Sequence, residues 1–150
     1  MENKWHKRFM EKAEQIADWS KDPNRKVGSV IVNDDKIIVS QGYNGPPRGC
    51  DDSIPERLIR PKKLLYFEHA ERNALYHASR LGVSVNKCTM YASLFPCADC
   101  ARGIIQSGII RLVTTRPELG HHIWGESWTA ALEMLNEAKV EIVWYNVNEE

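Results

Sequence analysis

Residues 88–106 read Cys-Thr-Met-Tyr-Ala-Ser-Leu-Phe-Pro-Cys-Ala-Asp-Cys-Ala-Arg-Gly-Ile-Ile-Gln, and this stretch settles the architecture. Cys88 to Ser93 reads as a strand, and Pro96 opens a helix that runs through Gln106. Ile109 to Thr114 forms another strand, residues 126–138 another helix, and Val140 to Tyr145 a last strand. Parallel neighbouring strands need a crossover of a dozen or more residues, usually helical, and each gap after Cys88 contains one. Working back toward the N-terminus, residues 68–80 are helical and closed by Gly82. Val27 to Val32 and Lys36 to Gln41 are β-branched runs separated by Asn33-Asp34-Asp35, the pattern of a hairpin. Trp5, Phe9, Ala13, Ile16 and Ala17 recur at helical spacing within residues 4–20, so one face of that helix meets the core. The order is α-β-β-α-β-α-β-α-β. It predicts an α/β fold of three layers, α-β-α: a mixed five-stranded sheet, parallel in its second half, with helices on both faces. Residues 42–55 form a loop with three glycines and three prolines, and a loop that long in a compact domain is more often functional than idle.

The 150 residues with 43% hydrophobic content suffice for one good core and not for two ordinary domains, so residues 1–150 are expected to form a single domain. Twenty basic residues balance twenty acidic ones, which removes the broad positive field of a nucleic-acid binder and favours a small substrate. No apolar run approaches the length of a membrane span, and Met1 to Arg8 is charged and amphipathic rather than signal-like. A cytoplasmic protein without membrane or nucleic-acid partners is expected. Four cysteines, two of them in a C-x-x-C, point in that compartment to metal or redox chemistry rather than to a disulfide framework.

The chemistry is carried by His69-Ala70-Glu71 and, 25 residues after that glutamate, Pro96-Cys97-Ala98-Asp99-Cys100. This is the H-x-E…P-C-x-x-C pattern of zinc deaminases. His69, Cys97 and Cys100 are three zinc ligands, and a set that stops at three leaves a position for water, as catalytic rather than structural sites do. Residues two apart on a helix point to nearly opposite sides, so His69 and Glu71 share a site only if His69 lies at the helix entrance. Cys97 and Cys100, three apart in a first turn, can both face one metal, where the helix dipole and free N–H groups stabilise thiolates. Zinc held there would supply an activated water, and Glu71 would take its proton, pass it to N3 of a cytosine ring and protonate the departing amine. Standing alone, the C-x-x-C also fits a thiol–disulfide pair, and an H-x-E alone is close to noise; their order and placement favour the deaminase.

Beyond the metal pattern, Asp22-Pro23-Asn24, Val27-Gly28-Ser29-Val30-Ile31-Val32, Gly42-Tyr43-Asn44-Gly45-Pro46-Pro47-Arg48-Gly49, His69-Ala70-Glu71-Arg72-Asn73-Ala74 and Leu94-Phe95-Pro96-Cys97-Ala98-Asp99-Cys100-Ala101 resemble the deoxycytidylate (dCMP) deaminase family over about residues 20–113. The resemblance implies the cytidine deaminase-like fold and zinc-dependent hydrolysis of dCMP to dUMP with release of ammonia, feeding thymidylate synthesis. It implies that Asn44 hydrogen-bonds the sugar hydroxyl and that Val27 lies against the base. Asn44 also fits a plain turn residue and Val27 ordinary core. A monophosphate needs cations, and Arg25, Lys26 and Arg48 are nearest in sequence to the substrate loops, although isolated surface cations are usually just solvated.

The family also implies a homo-oligomer, often a hexamer, and a magnesium–dCTP effector; the residues themselves carry no argument for allostery, and Cys50-Asp51-Asp52 reads as a solvated acidic loop with a thiol. Residues 50–68 leave no room for the insertion that holds a second zinc in some viral members, so one Zn2+ per chain is expected. Residues 115–125 depart from the family pattern, which leaves sugar and phosphate selectivity open; Trp124 and Trp128 fit core positions there, and Trp124 also fits a base-stacking one. The rivals are a deaminase of another small pyrimidine (deoxycytidine, dCTP or a modified nucleotide), a tRNA-editing adenosine deaminase, disfavoured by the neutral charge, and a nonenzymatic nucleotide-binding domain pinned by zinc, disfavoured by Glu71.

Overall fold

The computed structural model describes residues 2–146. The elements in chain order are α1 (Glu2–Ala17), β1 (Gly28–Val32), β2 (Ile38–Tyr43), a 3-10 turn (Pro55–Leu58), α2 (Lys63–Tyr66), α3 (Ala70–Leu81), β3 (Thr89–Ala92), α4 (Ala98–Gln106), β4 (Arg111–Thr114), α5 (Gly125–Glu137) and β5 (Glu141–Trp144). The five strands form one sheet in the order β2-β1-β3-β4-β5. β1 is antiparallel to both β2 and β3, and β3-β4 and β4-β5 are parallel, with α4 and α5 as their crossovers. The mixed, five-stranded, three-layer fold expected from the sequence is the one observed.

Alternation along the central strands divides the core in two. Val30 and Val32 of β1, Tyr91 of β3 and Val113 of β4 face α1, whose Phe9, Met10 and Ala13 are buried against them. Ile31, Met90, Ala92 and Leu112 point the other way, into a larger cluster with Ala74 and Ala78 of α3, Ala101 and Ile104 of α4, and Trp128, Ala131 and Leu135 of α5. Every residue of β1 is buried, as expected of a strand covered on both faces.

The boundaries differ from the sequence reading at the hairpin. β2 starts at Ile38 and continues through Tyr43. The Asn33 side chain accepts the N–H groups of Asp35 and Ile37 at 3.0 Å each, and Lys36 sits at φ 64°, so the turn extends two residues further than its composition suggests. Gly42 is then a strand residue, not a turn: a Cβ there would lie 2.6 Å from both the Ala70 carbonyl oxygen and the Ala74 nitrogen. Its missing side chain lets the first turn of α3 rest on β2. Residues 46–67 leave and return through one antiparallel bridge, in which Gly45 and Glu68 exchange backbone hydrogen bonds of 3.1 and 2.8 Å. The 3-10 turn and α2 inside this segment were not legible as periodic structure because they are only four residues each.

Candidate active site

His69 is the N-cap of α3 and Cys97 the N-cap of α4; both have extended backbones, φ −79°, ψ 154° and φ −71°, ψ 172°. Their carbonyls already accept the first helical bonds, from Asn73 and Ala101 at 2.9 Å each. Cap positions normally go to Ser, Thr, Asp or Asn, whose side chains satisfy free N–H groups. Here neither side chain makes such a bond. Both turn instead toward a common point, with Cys100 from the first turn of α4. His69 Nδ1 lies 3.3 Å from Cys97 Sγ and 3.4 Å from Cys100 Sγ, and the three donor atoms all lie within 4.8 Å of one another.

That triangle fits zinc. With Zn–S near 2.3 Å and Zn–N near 2.05 Å, tetrahedral coordination requires S···N edges of about 3.6 Å. The three donors are also electrostatically coupled to one another. The Cys97 thiol is brought down to about 4, first by a hydrogen bond from Cys100 and then, against burial, by His69. Cys100, the donor in that pair and itself buried, is pushed up. His69 is raised, chiefly by its hydrogen bond to Cys97, with burial opposing. Cys97 is thus set as a thiolate, whereas Cys100 and His69 would each give up a proton to a dication bound there.

Glu71, at the second position of α3, is 3% exposed, and burial pushes its carboxyl up from the ordinary range, with the neighbouring His69 charge pulling the other way. A buried carboxyl whose hold on a proton is strengthened in this way has the property a proton carrier needs. Arg72 ties the two helix starts together through ion pairs with Glu68 at 2.6 Å and Asp99 at 3.5 Å. Burial works against its charge, but Cys100, Glu68, Cys97 and Asp99 together raise its pKa. Ala98 N–H, at the start of α4, donates to Ser127 Oγ at 2.8 Å.

His69, Cys97 and Glu71 line a cavity of about 350 Å³, within the range of small-molecule sites, whereas Cys100 is buried and does not line it. Of the substrate candidates, Arg25, Val27 and Asn44 line it, whereas Lys26 and Arg48 are not among its lining residues. Lys26 is exposed, and Arg48 donates to His77 Nε2 at 3.2 Å, while His77 Nδ1 donates to the Gln41 carbonyl at 2.6 Å. Asn44 is buried, and its amide organises the floor of the cavity. Oδ1 accepts Val27 N–H at 2.9 Å, and Nδ2 donates to the Arg25 carbonyl at 2.9 Å and to Asp22 Oδ2 at 3.2 Å. Its φ is not positive, so it is no left-handed turn residue. Val27 is 8% exposed and serves both as core and as wall.

Sequence reasoning missed part of the lining. Arg60, Lys63, Leu64 and Phe67 reach the cavity from the clasped segment and Ser127 from the start of α5; Trp124, which the sequence offered as core or base-stacking, and Trp128, offered as core, line it too. Trp124 is half-buried; it stands edge-on to His69 with centroids 6.1 Å apart and stacks on Trp128 at 6.3 Å. Two cations and a Phe within nine residues before His69 were the signal that could have marked the first group; Ser127 lies two residues past the stretch that departs from the family pattern.

A three-ligand metal seat at two helix starts, with a buried carboxyl beside it and a nucleotide-sized cavity above, defines the zinc-dependent deaminases of the α-β-α type. Residues 3–116 match the cytidine and deoxycytidylate deaminase zinc-binding region, and the chain belongs to that family. It is 40% identical over 149 residues to an uncharacterized deaminase from the luxG 3′ region of Aliivibrio fischeri, covering 96% of this chain and 95% of that one. It is 45% identical over 114 residues to the human deoxycytidylate deaminase, a match that spans 73% of this chain and 63% of the human enzyme's length. In fold it is similar to the dCMP deaminase of cyanophage S-TIM5 solved in complex with dCMP and dUMP, with a TM-score of 0.79 at 24% identity over 97% of this chain and 99% of that one.

Among the described residues, no helix is long and apolar enough to cross a membrane.

Proposed function

We propose that this chain is a dCMP deaminase, hydrolysing dCMP to dUMP and ammonia with one Zn2+ held by His69, Cys97 and Cys100. The observation that carries the reading is a buried Glu71 beside a three-ligand triangle at the floor of a cavity of nucleotide size. The 45% identity to the human deoxycytidylate deaminase supports the choice of substrate. Bound zinc supplies an activated water at this site. Glu71 accepts the water's proton on its carboxylate and delivers it to N3 of the cytosine ring, then takes the second proton from the oxygen added at C4 and passes it to the amine as the C4–N bond breaks and the carbonyl forms. Val27 and Phe95 wall the ring, excluding bulk water from the carboxyl. Asn44 Oδ1 keeps one lone pair beyond its bond to Val27, free to accept from the sugar hydroxyl. Arg25 stands at the cavity for the phosphate, whereas Lys26 and Arg48 lie off it.

The same proposal includes a cytoplasmic setting, where the thiols stay reduced, and a homo-oligomer, hexameric by family resemblance. Exposed Trp19, edge-on to Tyr43 at 6.2 Å, offers apolar surface for such an assembly to cover. A magnesium–dCTP effector rests on the family resemblance alone. Another small pyrimidine is the rival reading, because Trp124 enters the cavity from the segment that departs from the family pattern.

The test is ammonia release across dCMP, CMP, deoxycytidine, dCTP and a tRNA, each with and without dCTP and magnesium. dCMP is expected to be turned over with the highest kcat/KM; inert dCMP with active deoxycytidine overturns the proposal.

A further inference from the structure

Four cations line the cavity: Arg25, Arg60, Lys63 and Arg72. Two of them are neutralised. Lys63 pairs with Asp22, whose side chain is 1% exposed, and Arg72 is shared between Glu68 and Asp99. Arg25 and Arg60 have no carboxylate partner among the described residues, so the open end of the cavity carries uncompensated positive charge. Arg60 is not a loose surface arginine. Its guanidinium carbon sits 5.1 Å from the centroid of Trp124, a cation–π contact, and Trp124 is itself fixed by stacking on buried Trp128. The start of α5 is held in turn by His121, whose Nδ1 accepts the N–H groups of Ile123 and Trp124 at 3.1 and 3.2 Å. A guanidinium laid on a ring keeps its edge N–H groups free, and that planar fork matches two oxygens of a phosphate.

We infer that Arg60, held on Trp124, is the residue that selects for the substrate's phosphate, with Arg25 as the second cation of the same subsite. The inference deepens the dCMP reading and rests on it for the nucleotide, but it assigns the selectivity to a residue outside the metal motif and outside the glycine-rich loop. Trp124 is a positioning residue in this arrangement. Its ring supports an arginine supplied by residues 46–67.

Arg60 is exposed, so Arg60→Ala is expected to fold normally. The experiment compares wild type, Arg60→Ala and Arg60→Lys for kcat and KM on dCMP and deoxycytidine. Calorimetric binding of dUMP and deoxyuridine to the zinc-loaded proteins is measured alongside. Losing a bidentate charged contact should raise KM for dCMP by about 10- to 100-fold with a smaller change in kcat, and lower the dCMP/deoxycytidine ratio of kcat/KM by a similar factor. Arg60→Lys should recover only part, since an ammonium lacks the planar fork. dUMP binding should weaken in parallel while deoxyuridine binding does not. Equal dCMP KM and equal dUMP affinity in wild type and Arg60→Ala overturn the inference. If wild type does not turn over dCMP, the dCMP reading fails by itself. The dUMP arm then decides the inference separately: binding that weakens in Arg60→Ala sustains it, and binding that is unchanged or absent in wild type overturns it.

Discussion

Ser127 Oγ accepts the Ala98 N–H at 2.8 Å, so the first turn of α5 caps the helix whose start carries two of the three proposed metal ligands. Cys97 holds the cap position of α4 without capping it, and the serine from the next helix takes over that role. The cap and the metal seat are therefore coupled through side chains from different elements. Ser127→Ala should cost about 1 kcal/mol in denaturant unfolding, the usual magnitude for a lost cap. Zinc transfer to a chelator, followed with a chromogenic dye, should also speed up. Unchanged stability together with an unchanged release rate would show that the α4 start stands by itself.

Glu71→Gln removes the proton carrier and keeps the shape of a buried side chain. kcat should fall by at least about 100-fold, the usual scale for losing general acid–base catalysis, with KM for dCMP close to wild type. Metal analysis should still find one zinc per chain. Turnover at the wild-type rate would assign the proton to another group.

Cys97→Ala opens the metal triangle. The purified variant should contain little zinc, and its melting temperature should match that of chelator-treated wild type. Zinc present at 100 times its Kd contributes about 2.7 kcal/mol to the folded state, so adding zinc should raise the wild-type melting temperature by several degrees and leave the variant's unchanged. Full zinc occupancy in the variant would require a different ligand.

Gly42→Ala tests the contact that seats α3 on the sheet. The added methyl would approach backbone atoms of Ala70 and Ala74 to 2.6 Å, and backbone does not move aside as a side-chain end does. A loss of about 1–3 kcal/mol is expected, with reduced zinc affinity because His69 caps the displaced helix. Wild-type melting with intact metal content would mean that the contact is slack.

Much of this was legible because it is local. Two cysteines three residues apart after a proline mark a helix start, although the helix begins at Ala98, with Cys97 at its cap rather than in its first turn, and His69 could be placed at a cap because a helix turns too fast to bring His69 and Glu71 together anywhere else. The sheet followed from β-branched runs with helical crossovers between them. What was not legible depends on long-range approach. Gly42 reads as a turn residue until α3 is laid across it. Arg48 is close in sequence to the substrate loop yet points to His77, while Arg60, twelve residues later, reaches the cavity by stacking on a tryptophan 64 positions away. Asn44 was singled out for the sugar, but three of its hydrogen bonds go to the protein's own backbone and Asp22.

The backbone bridge between Gly45 and Glu68 has an evolutionary consequence. Because residues 46–67 start and finish at one fastened point, extra chain spliced there lengthens a closed ring whose entropic cost grows only by about 0.6 kcal/mol per doubling. Descendants of this protein could therefore exchange the recognition element wholesale, trading one anion-reading arginine for another contact, while the hydrolytic machinery one residue past the fastening keeps its place.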